Sequence, residues 1–175
     1  MALRIKLNVV FFQLASGEEP VRKWLKALDA VDRQTIGRDL KTLQFGWPIG
    51  MPLVRLIDGG IWELRTSYYE SPVGCPQERW MKNKHSGSSL DDWLEEEGLL
   101  EDATAVAVKR VIAWQILQAM EKQQITKTDM AKRMHTSRAA LNRLLDESDT
   151  SVTLMTLASA AAALGKKMQF QLQPD

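Results

Sequence analysis

At 175 residues, 45% of them hydrophobic and six of them tryptophan, the chain suits one sizeable domain or two small ones and is too apolar for wholesale disorder. Its single cysteine, Cys75, excludes an intramolecular disulfide and a cysteine-rich zinc site, and the distant His85 and His135 lack ligand spacing, so neither metal nor cofactor is expected. The net charge of +1 conceals blocks: seven acids and no base between Ser89 and Ala103, then ten Lys/Arg against six Asp/Glu from Val108 to Asp175.

The opening MALRIKLNVVFF is too short and too weakly charged for a signal peptide and reads as a strand around Val9–Phe12. No stretch is long enough to span a bilayer, so a cytoplasmic location is expected. Next comes SGEEPVRKWLKAL, with Ser16 or Gly17 as cap and Pro20 in the first turn. Val21, Trp24, Leu25 and Leu28 form its apolar stripe. A second helix is expected over about 29–44, with Val31, Ile36, Leu40 and Leu43 on one face. Gly46, Trp47, Pro48, Gly50 and Pro52 break it. Two strand-like pieces, MPLVRLI and GIWELRTS, then meet through Asp58, Gly59 and Gly60, a hairpin signal. The order is strand, helix, helix, strand, strand.

These residues, from VVFF and EPVRKWLKAL through RDLKTLQFGWPIGMPLVRLIDGGIWELR, resemble the N-terminal part of RelE/HigB-type toxins, especially the phage-derived branch. The resemblance implies an antiparallel sheet against two helices and, in the complete family, ribosome-dependent mRNA cleavage by basic residues without a metal. Arg65 matches a position of the active surface; the plainer alternative is a strand arginine facing solvent. After it the text changes to SYYESPVGCPQERW, with Pro72, Gly74 and Pro76 and no alternating pattern. The expectation is therefore a truncated toxin fragment over 1–66 with no catalytic residues, an open sheet edge and no enzyme activity.

Residues 67–88 read as a linker, with Lys82, Lys84 and a Ser/Gly tract. Met81 begins MKNKHSGSSLDDWLEEEGLL, which looks like the start of an antitoxin. In the acidic segment, 89–107, Leu90, Trp93, Leu94, Leu99 and Leu100 interleave with carboxylates. Such a segment is either a solvated helix or a toxin-binding element, for which Trp93, Leu94, Glu95 and Glu96 are the candidate contacts. It could also fold back on the attached fragment.

From 108 to 175 the pattern is a run of short helices. Val111, Ile112, Trp114, Ile116, Leu117 and Met120 give the first an apolar stripe. Thr126 caps a second, with Asp129 three residues on, and Met130, Ala131 and Met134 face inward. Ser137 caps a third, which buries Ala140, Leu141 and Leu144 and turns Arg138, Ala139, Asn142 and Arg143 outward. Arginine can bridge the two major-groove acceptors of guanine, asparagine can pair with the edge of adenine, and both reach phosphates. Lys127, Lys132 and Arg133 sit where backbone contacts would be useful. Val152 to Leu164 forms a fourth helix stopped by Gly165, and Met168–Leu172 a short final strand.

ITKTDMAKRMHTSRAALNRLLD, followed by VTLMTLASAAAALG and MQFQL, resembles the Cro/phage-repressor-type (XRE) helix-turn-helix of HigA-type antitoxins across most of 81–173. The resemblance implies a homodimer that binds operator DNA, represses its own toxin–antitoxin operon and neutralises a RelE/HigB-type toxin. It assigns base reading to Ser137, Arg138, Ala139, Asn142 and Arg143, and Thr126 and Lys127 are further candidates for DNA contact. The expected fold is an α+β fragment, a partial RelE-like sheet plus two helices, followed by a mainly α helix-turn-helix domain. The alternative is a ribosome-dependent mRNA endonuclease held inactive by its fused antitoxin.

Overall fold

The computed structural model describes residues 5–47, 49, 53–58, 61–66, 73–76, 85–146, 149 and 151–168. Its elements run β1 (Val10–Phe12), α1 (Pro20–Ala27), α2 (Ala30–Gly46), β2 (Val54–Asp58), β3 (Ile61–Leu64), β4 (Val73–Pro76), β5 (Ser86–Ser89), α3 (Leu90–Glu96), α4 (Leu100–Lys122), α5 (Lys127–Arg133), α6 (Arg138–Leu145) and α7 (Leu154–Ala163). The fold is α+β and mostly helical. It divides into two compact units, one over 5–107 and one from 108 onward.

In the first unit the expected order of strand, helix, helix, strand, strand is present, with differences in detail. Neither Ser16 nor Gly17 caps α1. Gly17 sits in a turn at φ +86°, and the cap position belongs to Glu19, whose side chain is not used for capping. The α1 stripe is only partly covered: Leu25 is buried and Leu28 half-buried, whereas Val21 and Trp24 are exposed. Asp29 caps α2 by accepting from the Asp32 amide at 2.9 Å. From Ile36 onward this helix is buried on nearly every face, as befits the central helix of a unit.

β2, β3 and β4 form an antiparallel sheet in that order, with Val54 opposite Leu64 and Trp62 opposite Cys75. The segment expected to be a linker thus supplies a third strand. Pro76 is tolerated there because β4 lies at the edge of the described sheet, where an outward amide has no ladder partner to lose. The same segment also supplies β5, which pairs antiparallel with β1, Val10 opposite Ser89. Gly87 in it has a steric cause: a Cβ there would stand 2.1 Å from Glu19 Oε1 and 3.0 Å from the Phe11 carbonyl.

Ser89 then caps α3 in a full capping box with Asp92. Gly98, at φ +66°, closes the helix, and its neighbour Leu99 donates its amide to the Leu94 carbonyl at 2.8 Å. α4 starts at Leu100, eight residues ahead of the expected position.

The second unit is a cluster of helices around one apolar core. Ile116, Ala119 and Met120 of α4 meet Met130, Ala131 and Met134, then Leu141 and Leu144 of α6, then Leu157, Ala160 and Leu164. Thr126, Ser137 and Thr153 cap α5, α6 and α7 in the same way, each hydroxyl accepting the amide three residues on. The expected final strand lies outside the described residues except for Met168, which is half-buried.

Candidate nucleic-acid interface

α5 and α6 are separated by the four residues Met134–Ser137. Met134 turns into the core. His135 takes a left-handed conformation at φ +51°, and Thr136 donates its amide to the Ala131 carbonyl at 3.0 Å. This tight closure satisfies the last carbonyls of α5 without a glycine. With Met130 and Ala131 pinned on one side and Leu141 and Leu144 on the other, the opposite faces of both helices are committed to solvent.

Thr126, Lys127, Ser137, Arg138, Ala139, Asn142 and Arg143 are all exposed, as are Lys132 and Arg133. Among the described residues no carboxylate forms an ion pair with Lys127, Lys132, Arg133, Arg138 or Arg143. The Asp149 carboxyl is held below its usual range by hydrogen bonds from the Ser151 hydroxyl and amide, with weaker attraction from Arg143 and Lys109. The Thr126 hydroxyl is occupied, accepting from the Asp129 amide at 3.1 Å and donating to its carboxylate at 2.6 Å. Ser137 Oγ accepts from the Ala140 amide at 3.1 Å.

A different arrangement holds on α1 and α2, where the cations are matched. Lys26 Nζ donates to Glu96 at 2.9 Å, and Arg22 reaches the other oxygen of the same carboxylate. Arg33 pairs with Glu97 and also donates to the carbonyls of Lys26 and Leu28. Arg38 clasps Asp102 through Nε at 2.7 Å and Nη2 at 2.9 Å. Lys41, itself buried, donates to Asp91 at 2.6 Å. These contacts hold the Asp102 carboxyl low, through Arg38, and the Glu96 carboxyl low, through Lys26 and then Arg22.

Between the ion pairs, Leu90, Trp93 and Leu94 are fully buried. Trp93 meets Phe11 edge to face at 6.0 Å between ring centroids. Gly37 lets both side chains approach α2, since a Cβ there would stand 2.9 Å from Leu94 Cδ2 and 3.6 Å from the Trp93 ring. Of the four candidate partner contacts, Trp93, Leu94 and Glu96 are therefore engaged within the chain; Glu95 is exposed. Arg65 is exposed after β3, its amide donating to the Leu53 carbonyl at 2.8 Å.

Residues 23–73 match the family model described as Phage derived protein Gp49-like (DUF891). That family is related to RelE-like toxins of toxin–antitoxin systems. The match takes in α1 from Lys23, all of α2, and β2 and β3. No curated protein and no solved structure matches the chain.

Sequence reasoning missed the cationic row Arg22, Lys26, Arg33, Arg38 and Lys41. A signal was available in the charge pattern, since these cations fall on two consecutive helices whereas seven acids without a base fall between Ser89 and Ala103. Among the described residues no cluster of His, Cys, Asp and Glu could hold a metal ion. No described helix is long and apolar enough to cross a membrane.

Proposed function

We propose that this chain is a sequence-specific DNA-binding antitoxin that represses its own toxin–antitoxin operon. The observation that carries the reading is the contrast between its two basic surfaces. The cations of α1 and α2 are neutralised by carboxylates of the same chain, whereas those of α5 and α6 stand exposed above a closed apolar core. Open cations on two short helices joined by a tight turn suit a helix-turn-helix, with the start of the second helix in the major groove. Ser137, Arg138 and Ala139 then lie nearest base edges, Asn142 and Arg143 one turn on, and Lys127, Lys132 and Arg133 against phosphates. The relation of residues 23–73 to toxin–antitoxin proteins supports the operon context.

Two copies acting as a homodimer would place their second helices about 34–36 Å apart on a palindromic site. Footprinting on the DNA upstream of the gene is expected to give two protected half-sites one helical turn apart. A single protected patch would remove the dimer from the proposal. Uniform protection at every sequence would remove the repressor.

A second reading is favoured by the position of the family match and by β4, which extends the sheet beyond the expected hairpin. It makes the chain a ribosome-dependent mRNA endonuclease held inactive by its own attached segment, with Arg65 touching phosphate. Cleavage of translated mRNA by residues 1–80 freed of the attached segment, absent from the intact chain and abolished in Arg65→Ala, would replace the first reading. No cleavage leaves the N-terminal unit without an enzymatic role.

A further inference from the structure

The contact between α1–α2 and residues 86–107 has the anatomy of an interface between two molecules. A tryptophan and two leucines with no exposed surface occupy its centre, and ion pairs whose side chains keep between 3% and 50% of their exposure ring them. Charge is segregated across it: every cation of the ring comes from residues 22–41 and every acid from residues 91–102. Segregated, complementary charge speeds encounter and rejects wrong partners. A permanently tethered core gains little from either property. Glu19 adds a backbone component by accepting the Ser88 amide and hydroxyl, and the β1–β5 pairing fixes the register.

We infer that residues 86–107 are a transferable docking segment, an acidic amphipathic helix start with a Trp–Leu anchor, and that the α1–α2 face is its receptor. In this chain the receptor is self-occupied, and the competing occupant is the same segment of a second copy. Tethering sets the local concentration of the attached segment at about millimolar, so the intact chain excludes the competitor until the tether is cut. The inference does not depend on DNA binding.

The test uses the full chain with a protease recognition sequence inserted between Gln77 and Lys84, before and after cleavage. The probe is a fluorescent peptide of residues 86–107. The control peptide replaces Asp91, Glu96, Glu97 and Asp102 by their amides. The nicked chain is expected to stay associated at low salt and to take up the acidic peptide at least tenfold more tightly than the control. Uptake by the intact chain is expected to be at least tenfold weaker than by the nicked one. Arg38→Glu in the nicked chain should abolish uptake, and a peptide carrying Asp102→Arg should restore it, which separates a lost contact from a lost fold. Equal uptake of acidic and amide peptides would overturn the inference. So would separation of the pieces at low salt, uptake that ignores the nick, or pieces that never exchange.

Discussion

Thr126 and Ser137 hold matching places at the starts of α5 and α6, yet their hydroxyls differ in what they have left to offer. Thr126 Oγ1 both accepts from and donates to Asp129, so its hydrogen is spent. Ser137 Oγ only accepts, from the Ala140 amide; among the described residues its hydrogen has no acceptor, and a phosphate could take it. Thr126→Ala is expected to cost about 1 kcal/mol of stability through the lost cap, and unchanged DNA affinity in it would remove Thr126 from the DNA contacts. Ser137→Ala should cost the same stability and also weaken binding; denaturant unfolding read beside anisotropy separates the two. Arg138→Ala should lose about 1–3 kcal/mol of discrimination between operator and scrambled DNA. Lys132→Ala should instead weaken both alike and lower the salt slope by about one. Discrimination retained in Arg138→Ala would mean that Arg138 contacts phosphate.

At the scale of elements, α2 and α3 depend on each other through Gly37. With Leu94 and Trp93 buried against it, there is no solvent into which they could swing. Gly37→Val is therefore expected to cost about 1–3 kcal/mol by overpacking, and Trp93→Ala about 3–5 kcal/mol by leaving a cavity. Both are measurable as urea midpoints. The carboxylates of Asp102, Glu96 and Glu19 add a pH dependence. Arg38 lowers the first, and Lys26 with Arg22 the second. For Glu19, burial pushes the carboxyl up, but the Ser88 amide and hydroxyl, with Arg22, outweigh it and leave it low. A carboxyl lowered by folding stabilises fully above its unfolded value and loses that contribution as pH falls through the folded one. The urea midpoint of this unit should stay flat from about pH 8 to about pH 5 and drop below about pH 4. A midpoint that falls between neutrality and pH 5 would mean other groups control the contact.

Across the whole molecule, the second unit was the more legible from sequence. Its caps at Thr126 and Ser137, its inward Met130, Ala131, Met134, Leu141 and Leu144, and its outward Arg138, Asn142 and Arg143 follow from local rules that need no distant partner. The first unit was legible in element order only. β4 and β5 contain glycine, serine and proline, so no alternation marks them; what makes them strands is β3 and β1, distant in sequence. The exposure of Val21 and Trp24 was hidden for the same reason, because a stripe shows what could be buried and not what arrives to bury it. The exposed basic face of α5 and α6 could be drawn residue by residue because each member sits on or caps a short helix. The ion-pair ring could not, because its partners lie 64 to 74 residues apart for Arg22, Lys26, Arg33 and Arg38.

The central claim is that the open basic face of α5 and α6 reads DNA, and anisotropy of the full chain on the DNA upstream of its own gene tests it most directly. The account expects tight binding that resists scrambled competitor and falls steeply with salt, as counterion release requires. Affinity no greater than for scrambled DNA would contradict it.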